Sequence, residues 1–234
     1  MKKILLLTLV SCFVVSGLVY AAPVGNPAKP LLVNEEMPFS VGAEFDFVFE
    51  RELDVSGEDV AIENLYMYMA KASYTLEKRA DFYCLLGAAN GELSVESGGV
   101  DLSVDTETAF AWGLGVTVFL YEFDNGIRLG VDGNFRNTAP SLDEVDVDLE
   151  YSEWQIALGV SKQIDQFVPY GGIKYSDVKA ELTVPGLGSE DTGSDNIFGI
   201  FLGCDFLAKE NLSFGIEGRF IDETALAIRG MYRF

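Results

Sequence analysis

The feature that most constrains how this chain can fold is a two-residue alternation of apolar and polar side chains. In residues 39–50, side chains such as Phe45 and Phe47 occupy the odd positions, and Glu44 and Asp46 occupy even ones. A strand places alternate side chains on opposite faces, whereas a helix would turn Phe45 and Phe47 to opposite sides. The segment is therefore predicted to be a strand with one apolar face and one polar face.

The same pattern recurs along the whole chain, in segments of about ten residues that are typical of transmembrane barrels. We therefore expect an all-β fold, a closed antiparallel up-and-down transmembrane β-barrel of about ten strands. Residues 82–92 and 168–180 show no clear phase, so eight strands is the alternative count. Alternation alone does not distinguish this barrel from a soluble sandwich, whose apolar face points inward.

Three further features favour the barrel over the sandwich. Small residues such as Gly115 and Gly203 occupy the polar face, as a narrow lumen requires. Short connections alternate with long ones, which matches short periplasmic turns and long external loops. No Lys or Arg lies between Arg79 and Arg128, so the long loop in that interval is purely acidic. A soluble sandwich has no reason to sort charge by loop length.

The amino-terminal residues form a targeting segment. Two early lysines are followed by an apolar run, Ile4–Val19, and then by the small residue Ala21. This order predicts a signal peptide over residues 1–21 that is cleaved after Ala21. No later stretch supplies the ~18 uninterrupted apolar residues of a transmembrane helix, so the exported protein can enter a membrane only through strands.

The exported chain divides into two parts. Residues 22–37 are predicted to be a periplasmic amino-terminal segment, and residues 38–234 the transmembrane β-barrel. The sequence leaves open whether residues 23–37 fold into the lumen or extend into the periplasm.

The carboxyl-terminal strand carries a recognisable signal. It ends in Phe234, with Tyr232 two residues earlier and alternate apolar positions behind. This end resembles the assembly signal of small bacterial outer-membrane β-barrel proteins of the porin-like and opacity types. The resemblance implies Tyr232 and Phe234 as the assembly signal and a location in the outer membrane of a Gram-negative-type envelope. It also implies contact with outer-membrane lipid, the barrel-assembly machinery and periplasmic chaperones.

A second resemblance lies near the predicted cleavage site. Residues 23–28, Pro-Val-Gly-Asn-Pro-Ala, are similar to the mature amino terminus of the chlamydial major outer membrane porin. That family is much longer than this chain and is rich in cysteine, which this chain is not.

The composition excludes several functions. The net charge is −21, from 16 basic and 37 acidic residues, which argues against binding to nucleic acid. The chain has no histidine, so imidazole cannot act as acid, base or metal ligand. The resemblance adds that known outer-membrane barrel enzymes rely on histidine. We therefore expect no enzymatic activity and no cofactor.

Charged side chains on the polar face are the candidates for the lumen lining. They are Glu44, Asp46, Lys71, Arg128, Asp132, Arg136, Glu153, Asp205, Glu217, Arg219, Arg229 and Arg233. One interpretation is a plug of paired ions, since a charge in a narrow interior must find a counter-ion. The other is a polar channel lining that selects ions. We expect a narrow, weakly cation-preferring passive diffusion channel; the alternative is a non-conducting structural or surface-interaction (adhesion) barrel with acidic external loops.

One acidic run is a weak candidate for binding divalent cations. Asp143, Glu144, Asp146 and Asp148 supply the oxygen ligands that Ca²⁺ and Mg²⁺ prefer. The run lacks the glycine and the regular spacing of a calcium loop, so a solvated acidic rim is the alternative. Such a rim would attract cations within a Debye length of ~8–10 Å.

Two smaller groups of residues complete the predictions. Cys84 and Cys204 fall on the third and eighth strands, on opposite sides of the barrel. Because Cα atoms more than about 7 Å apart cannot be bridged, we expect free buried thiols, and crosslinking between chains is the alternative. Aromatic residues near strand ends are expected to form interfacial girdles. These residues are Tyr74, Phe123, Tyr170, Phe220, Tyr232 and Phe234.

Overall fold

The computed structural model describes residues 22–32, 36–53, 59–97, 100–140, 148–184, 188–193 and 197–234. A single-turn helix, α1, spans Lys29–Leu32. The strands that follow are β1 (Phe39–Leu53), β2 (Asp59–Leu76), β3 (Ala80–Ser97), β4 (Val100–Asp105), β5 (Ala109–Glu122), β6 (Ile127–Thr138), β7 (Asp148–Lys162), β8 (Phe167–Val184), β9 (Gly188–Gly193), β10 (Phe198–Lys209), β11 (Leu212–Phe220) and β12 (Thr224–Arg233). No helix in the described part of the chain has the length and hydrophobicity to cross a membrane.

Ten of these strands close into one antiparallel barrel. They pair in the order β1, β2, β3, β5, β6, β7, β8, β10, β11, β12, and β12 pairs back with β1. Strands β4 and β9 pair with the far ends of β3 and β8 and so extend the sheet beyond the ring. The predicted closed antiparallel β-barrel of ten strands is confirmed, and the alternative count of eight is wrong.

The two segments without a clear phase are ordinary barrel strands, β3 and β8. On β3 the side chains of Tyr83 and Leu85 are buried in the interior, and on β8 Tyr170 is buried there too. Because these large side chains point inward while other apolar side chains of the same strands point outward, the alternation is obscured in the sequence.

Large apolar side chains cover the outer wall of the barrel. Phe198 and Trp154 are 64% and 40% exposed, whereas Glu217 is 1% exposed in the interior. This arrangement is expected of a barrel surrounded by lipid and is the reverse of a soluble sandwich.

The two cysteines that the structure describes are free thiols, as expected. They are half-buried on the outer wall rather than buried. Their neighbours Tyr83 and Asp205 occupy the inward positions of the two strands, so Cys84 and Cys204 face outward.

The two ends of the barrel differ in their connections. At one end, which we call the short-turn rim, tight turns such as 77–79 and 163–166 join the strands, and Phe39 and Phe234 lie side by side. The other end is the long-loop rim. Three strands that extend to it, β2, β3 and β8, are each 18 residues long. Such a strand rises roughly 45 Å at a tilt of about 40°, against an apolar band of about 25 Å. The sheet therefore projects beyond the membrane at this rim. In the usual orientation the short-turn rim faces the periplasm.

Residues 22–32, which we call the plug segment, enter the barrel. All residues from Ala22 to Ala28 are buried. The described start of the predicted periplasmic segment thus lies in the lumen, one of the two arrangements that the sequence left open. Small side chains such as Ala22 and Gly25 suit the narrow space, and α1 leads back toward the short-turn rim, where β1 begins.

Candidate functional site: the plugged lumen

Most charged side chains predicted to line the lumen lie in the barrel interior. Those at most 8% exposed are Glu44, Asp46, Lys71, Asp132, Arg136, Glu153, Asp205, Glu217, Arg219 and Arg233. The side chain of Arg229 is 11% exposed. Arg128 differs because it lies beside the turn 123–126, where its Nε is 3.3 Å from Oε1 of the partly exposed Glu122.

One ion pair crosses the lumen. The Nη2 atom of Arg136 on β6 lies 2.6 Å from Oε1 of Glu44 on β1, on the other side of the barrel. The Nζ atom of Lys71 lies 3.3 Å from the second oxygen of Glu44. Buried charges of this kind remain ionised only when they are paired, so the three side chains support one another. The pair also narrows the lumen.

A second group of charges lies toward the long-loop rim. Arg219 contacts Asp46 at 2.6 Å and Glu223 at 2.5 Å, and the Nζ of Lys174 lies 2.6 Å from both Glu223 and Asp222. Sequence reasoning missed Lys174 because its strand had no clear phase. It also left out Asp222 and Glu223, which lie in the short connection between β11 and β12. A connection this short cannot project far from the barrel, and that length was the signal that its acids could turn inward.

Four interior residues form a group that we call the Tyr170 cluster: Tyr170, Asp205, Glu217 and Arg229. The Nη2 of Arg229 donates to Asp205 at 2.7 Å and to the Tyr170 hydroxyl at 2.6 Å. That hydroxyl donates to Glu217 at 3.1 Å. The predicted girdle position of Tyr170 is wrong. Its ring lies inside because Gly203, its partner on β10, leaves space that a Cβ would fill.

A matching group, the Tyr83 cluster, lies across the barrel and consists of Tyr83, Lys71, Thr117, Asp132 and Asn134. Asp132 accepts hydrogen bonds from Tyr83 at 3.1 Å, from Thr117 at 2.7 Å and from Asn134 at 2.9 Å. The Lys71 ammonium lies 4.0 Å from the centroid of the Tyr83 ring. Here too the ring occupies space left by a glycine, Gly115, its partner on β5.

The plug segment binds the wall through its backbone. The N–H groups of Val24 and Gly25 donate to the two oxygens of Glu217 at 2.9 and 2.7 Å. The nitrogen of Ala22 lies 3.3 Å from Oε1 of Glu153. Gly25 has a φ of 78°, which lets successive N–H groups converge on one anion. Two wall carboxylates therefore hold the first four residues of the segment.

Apolar packing holds the middle of the plug segment. The buried apolar cluster around it consists of Val24, Ala157, Tyr170 and Phe201. Pro27 fits against Gly130 and Gly159, where an added Cβ would overlap atoms of Pro27. These glycines of β6 and β7 thus form the recess that accepts the segment.

The carboxyl-terminal end of the plug segment is held by an ion pair. The Nζ of Lys29 lies 2.7 Å from Oδ2 of Asp81, which also accepts a hydrogen bond from Thr75 at 2.6 Å. Sequence reasoning missed Asp81, which lies at the start of β3 beside the turn 77–79. The cavity left between the segment and the wall has a volume of about 30 Å³, enough for about two water molecules. The segment therefore occupies the lumen at this level.

The buried wall carries more acids than bases. Among the side chains that the structure describes, the acids are Glu44, Asp46, Asp81, Asp132, Glu153, Asp205, Glu217, Asp222 and Glu223. The bases are Lys71, Arg136, Lys174, Arg219, Arg229 and Arg233. The formal excess is three negative charges, and Lys29 of the plug segment offsets one of them. The wall can therefore accommodate further positive groups.

The candidate residues for divalent cations are not part of this site. Asp143, Glu144 and Asp146 lie outside the described residues, and of Asp148 the structure gives only its place at the start of β7. Within the described ranges, no group of three or more cysteine and acidic side chains is arranged to hold a metal ion.

The residues of the predicted assembly signal lie on the outer wall. Tyr232 and Phe234 are 49% and 56% exposed at the short-turn rim. The ring of Phe234 stacks on that of Phe39, with 6.2 Å between the ring centroids. The first and last strands of the barrel thus share one apolar patch.

No protein-family model matches the chain. Its sequence is 21% identical to the major outer membrane porin, serovar D, of Chlamydia trachomatis, in an alignment of 394 positions that spans both chains completely. It is 23% identical to the serovar F porin over 295 positions, covering 75% of this chain and 74% of that one. Because the first alignment is far longer than the 234 residues of this chain, long stretches of the porin have no counterpart here.

A similar solved structure is the translocator domain of the autotransporter NalP from Neisseria meningitidis. Its TM-score is 0.52 at 11% identity, over 88% of this chain and 92% of that one, and this likeness concerns the fold alone. The predicted similarity to the chlamydial porin is confirmed. With its apolar outer wall and ten-stranded closure, the protein is a β-barrel of the bacterial outer membrane.

Proposed function

We propose that this protein is a narrow, weakly cation-preferring passive diffusion channel that its own plug segment closes at rest. The observation that carries the proposal is the enclosure of residues 22–32 in a lumen lined with charged side chains. The segment is separate from the sheet, and its described polar contacts with the wall are backbone hydrogen bonds to two carboxylates, the Lys29–Asp81 ion pair and a hydrogen bond from Lys29 to Ser73. It can therefore leave without breaking the barrel.

The charge of the wall supports a preference for cations. Removal of the plug segment would leave the acid excess of the buried wall without Lys29. In a narrow pore with low-dielectric walls, such an excess lowers the energy of cations and raises that of anions. The porin similarity, which extends over the whole chain, also favours a conducting barrel over a purely structural one.

The expected conductance is small. Toward the long-loop rim the interior is narrowed by the Arg136–Glu44 pair and by the buried side chains of Leu65, Met67 and Leu85. A barrel of about this strand number is nearly filled by its own side chains. We therefore expect single ions rather than larger solutes to pass.

The test is a planar-bilayer recording that compares the wild type with a variant lacking residues 22–32. The wild type should remain mostly closed. The deletion variant should show stepwise conductance with a reversal potential shifted toward that of the cation in a KCl gradient. Lys209→Gln, at an exposed position of the short-turn rim, is the control and should behave as the wild type.

Folding must be verified in the same preparations. A folded barrel stays compact in detergent until it is heated, so boiled and unboiled samples should differ in electrophoretic mobility. A folded deletion variant that stays silent, or one that prefers anions, would overturn the channel proposal.

A second candidate function is surface interaction, and the sheet extension at the long-loop rim favours it. Strands β2, β3 and β8 project beyond the membrane, and the connection between Arg136 and Lys162 contains no basic residue. Such an acidic surface suits cationic partners, including divalent cations at Asp143, Glu144, Asp146 and Asp148. Calorimetric titration with Ca²⁺ and Mg²⁺ would test this part, and absence of binding at millimolar concentrations would contradict it.

We propose no catalytic role, because the chain contains no histidine. Hydrolytic activity that a single lumen substitution abolishes would show otherwise.

We also propose that the barrel-assembly machinery recognises the outward-facing Tyr232 and Phe234. Deletion of Phe234 should then reduce the heat-modifiable barrel recovered from outer membranes. An unchanged yield would contradict that role.

A further inference from the structure

The most deeply placed end of the plug segment is its first residue. Ala22 and Glu153 are each 1% exposed, and the Ala22 nitrogen lies 3.3 Å from Oε1 of Glu153. Ser176 donates a hydrogen bond to the same oxygen at 2.8 Å and so fixes the carboxylate. The chain nitrogen of residue 22 therefore faces a buried, positioned acid.

The sequence predicts that the signal peptide is cleaved immediately before this nitrogen. Hydrolysis of the Ala21–Ala22 bond by a signal peptidase consumes one water and leaves a carboxylate on Ala21 and an amine on Ala22. An α-amine has an ordinary pKa of about 7.7–8.0, so it is mainly the ammonium at neutral pH. We propose that Glu153 is the binding site for this new α-ammonium, so that cleavage itself creates the ligand that seats the plug segment.

Charge supports this assignment. A peptide N–H at 3.3 Å offers Glu153 one neutral donor, whereas an ammonium offers a full positive charge and three donors, and charge-assisted hydrogen bonds are about twice as strong as neutral ones. The buried wall has an excess of three acids, of which Lys29 offsets one. The ammonium offsets a second, at the other end of the same segment.

The spacing of the contacts fixes which residue must come first. The N–H groups of Val24 and Gly25 occupy Glu217 on β11, and the nitrogen two residues earlier reaches Glu153 on β7. The cross-strand partner of Glu153 is Arg136, whose guanidinium crosses the lumen to Glu44. With Val24 and Gly25 held at Glu217, the α-ammonium lies at Glu153 when the chain begins at residue 22.

The test uses refolded barrel whose chain begins at Ala22 and the same protein with one glycine added before Ala22. The glycine turns the Ala22 nitrogen into a peptide N–H and moves the charge by one residue. Each protein is also made with Glu153→Gln. Hydrogen exchange of the peptides from residues 22–32, measured by mass spectrometry in detergent, reports how firmly the segment is docked.

We expect the added glycine to speed exchange of these peptides about tenfold or more. Glu153→Gln should do the same. The two changes together should add little to either alone, because both remove one interaction. Asp132→Asn, a buried acid-to-amide change in the Tyr83 cluster, is the matched control and should leave exchange of the segment unchanged.

Three results would overturn the proposal. They are unchanged exchange with the added glycine, effects of the glycine and Glu153→Gln that simply multiply, or a first residue other than Ala22 in protein isolated from outer membranes. Electrophoresis of unheated samples verifies that each variant is folded. No conductance is measured, so a barrel that never conducts can still bind its amino terminus at Glu153, and a conducting barrel can fail this test.

Discussion

The Tyr83 and Tyr170 clusters contain the same kinds of residue but have different roles. Each places a buried tyrosine ring over a glycine of the neighbouring strand, with a basic side chain near the ring and a carboxylate at the hydroxyl. Only the Tyr170 cluster touches the plug segment through hydrogen bonds, at Glu217. The same arrangement thus packs the wall on one side of the lumen and binds the plug segment on the other.

The difference lies in which donors satisfy the carboxylate. In the Tyr83 cluster, Asp132 accepts hydrogen bonds from three side chains of the wall itself. In the Tyr170 cluster, Arg229 makes its short contact with Asp205 and lies 3.8 Å from Glu217. The oxygens of Glu217 are therefore available to backbone donors of the segment. Asp132, with three wall donors, stabilises the wall, whereas Glu217 accepts one hydrogen bond from Tyr170 and two from the segment and so holds the segment.

The largest contrast is expected from removing these two carboxylates. Glu217→Ala takes away the acceptor of two backbone N–H groups, and hydrogen bonds to a charged group contribute about 1.5–3 kcal/mol each. Docking of the segment should weaken by about 3 kcal/mol, so hydrogen exchange of residues 22–32 should speed up by roughly two orders of magnitude. Asp132→Ala should change that exchange by less than about twofold.

In unfolding experiments we expect the opposite ranking of these two variants, with Asp132→Ala destabilising the barrel more. Asp132→Ala leaves the buried hydroxyls of Tyr83 and Thr117 without their acceptor, which costs about 1–3 kcal/mol of barrel stability in denaturant titrations. If both variants loosened the segment equally, the two clusters would not differ in how they hold the segment.

The next largest contrast concerns the glycines beneath the rings. A Cβ at Gly203 or at Gly115 would overlap the ring of the facing tyrosine, so either ring must shift. Overpacking of this kind costs about 1–3 kcal/mol of barrel stability in both variants. Only Gly203→Ala displaces Tyr170 from Val24 and Glu217, so only this variant should speed exchange of the segment, by about tenfold.

A smaller effect is expected from the hydroxyl groups. Tyr170→Phe removes a donor to Glu217 and leaves Arg229 without its contact to the hydroxyl oxygen. One hydrogen bond is worth about 1 kcal/mol, so exchange of the segment should rise by roughly fivefold. Tyr83→Phe should have no such effect. A response of the segment to Tyr83→Phe that matches the response to Tyr170→Phe would argue for coupling across the whole lumen.

The wall was predictable from the sequence because its pattern is local. Strand alternation, small residues on the polar face and turn length fixed the barrel and the side of the sheet on which Glu44, Asp46 and Glu217 lie. The alternation was obscured where Tyr83 and Tyr170 point inward, because the position of each ring depends on a second residue. Each ring fits only because of a glycine on a neighbouring strand, at positions 115 and 203, and a single strand does not contain that information.

The binding site of the plug segment was harder to predict from the sequence, for a related reason. Residues 22–32 carry no alternation, and their contacts join them to residues more than 50 positions away, such as Asp81 and Glu217. The fit of Pro27 against Gly130 and Gly159 depends on backbone approach across three elements. Composition could indicate a short segment of small residues but not the surface that receives it.

The smallest expected effect is at Lys29, which contacts Asp81 on the strand of Tyr83. Its ion pair with Asp81 lies near the short-turn rim, and the Lys29 side chain is 16% exposed. Glutamine at this position keeps an amide that can donate a hydrogen bond, so Lys29→Gln should weaken docking by only about 1 kcal/mol and speed exchange of residues 22–32 by two- to fivefold. Lys209→Gln, which removes a charge at the same rim without touching the segment, should leave that exchange unchanged. If Lys29→Gln instead loosened the segment as much as Glu217→Ala, the seat would lie on the Tyr83 side as well, and the contrast between the two clusters would be lost.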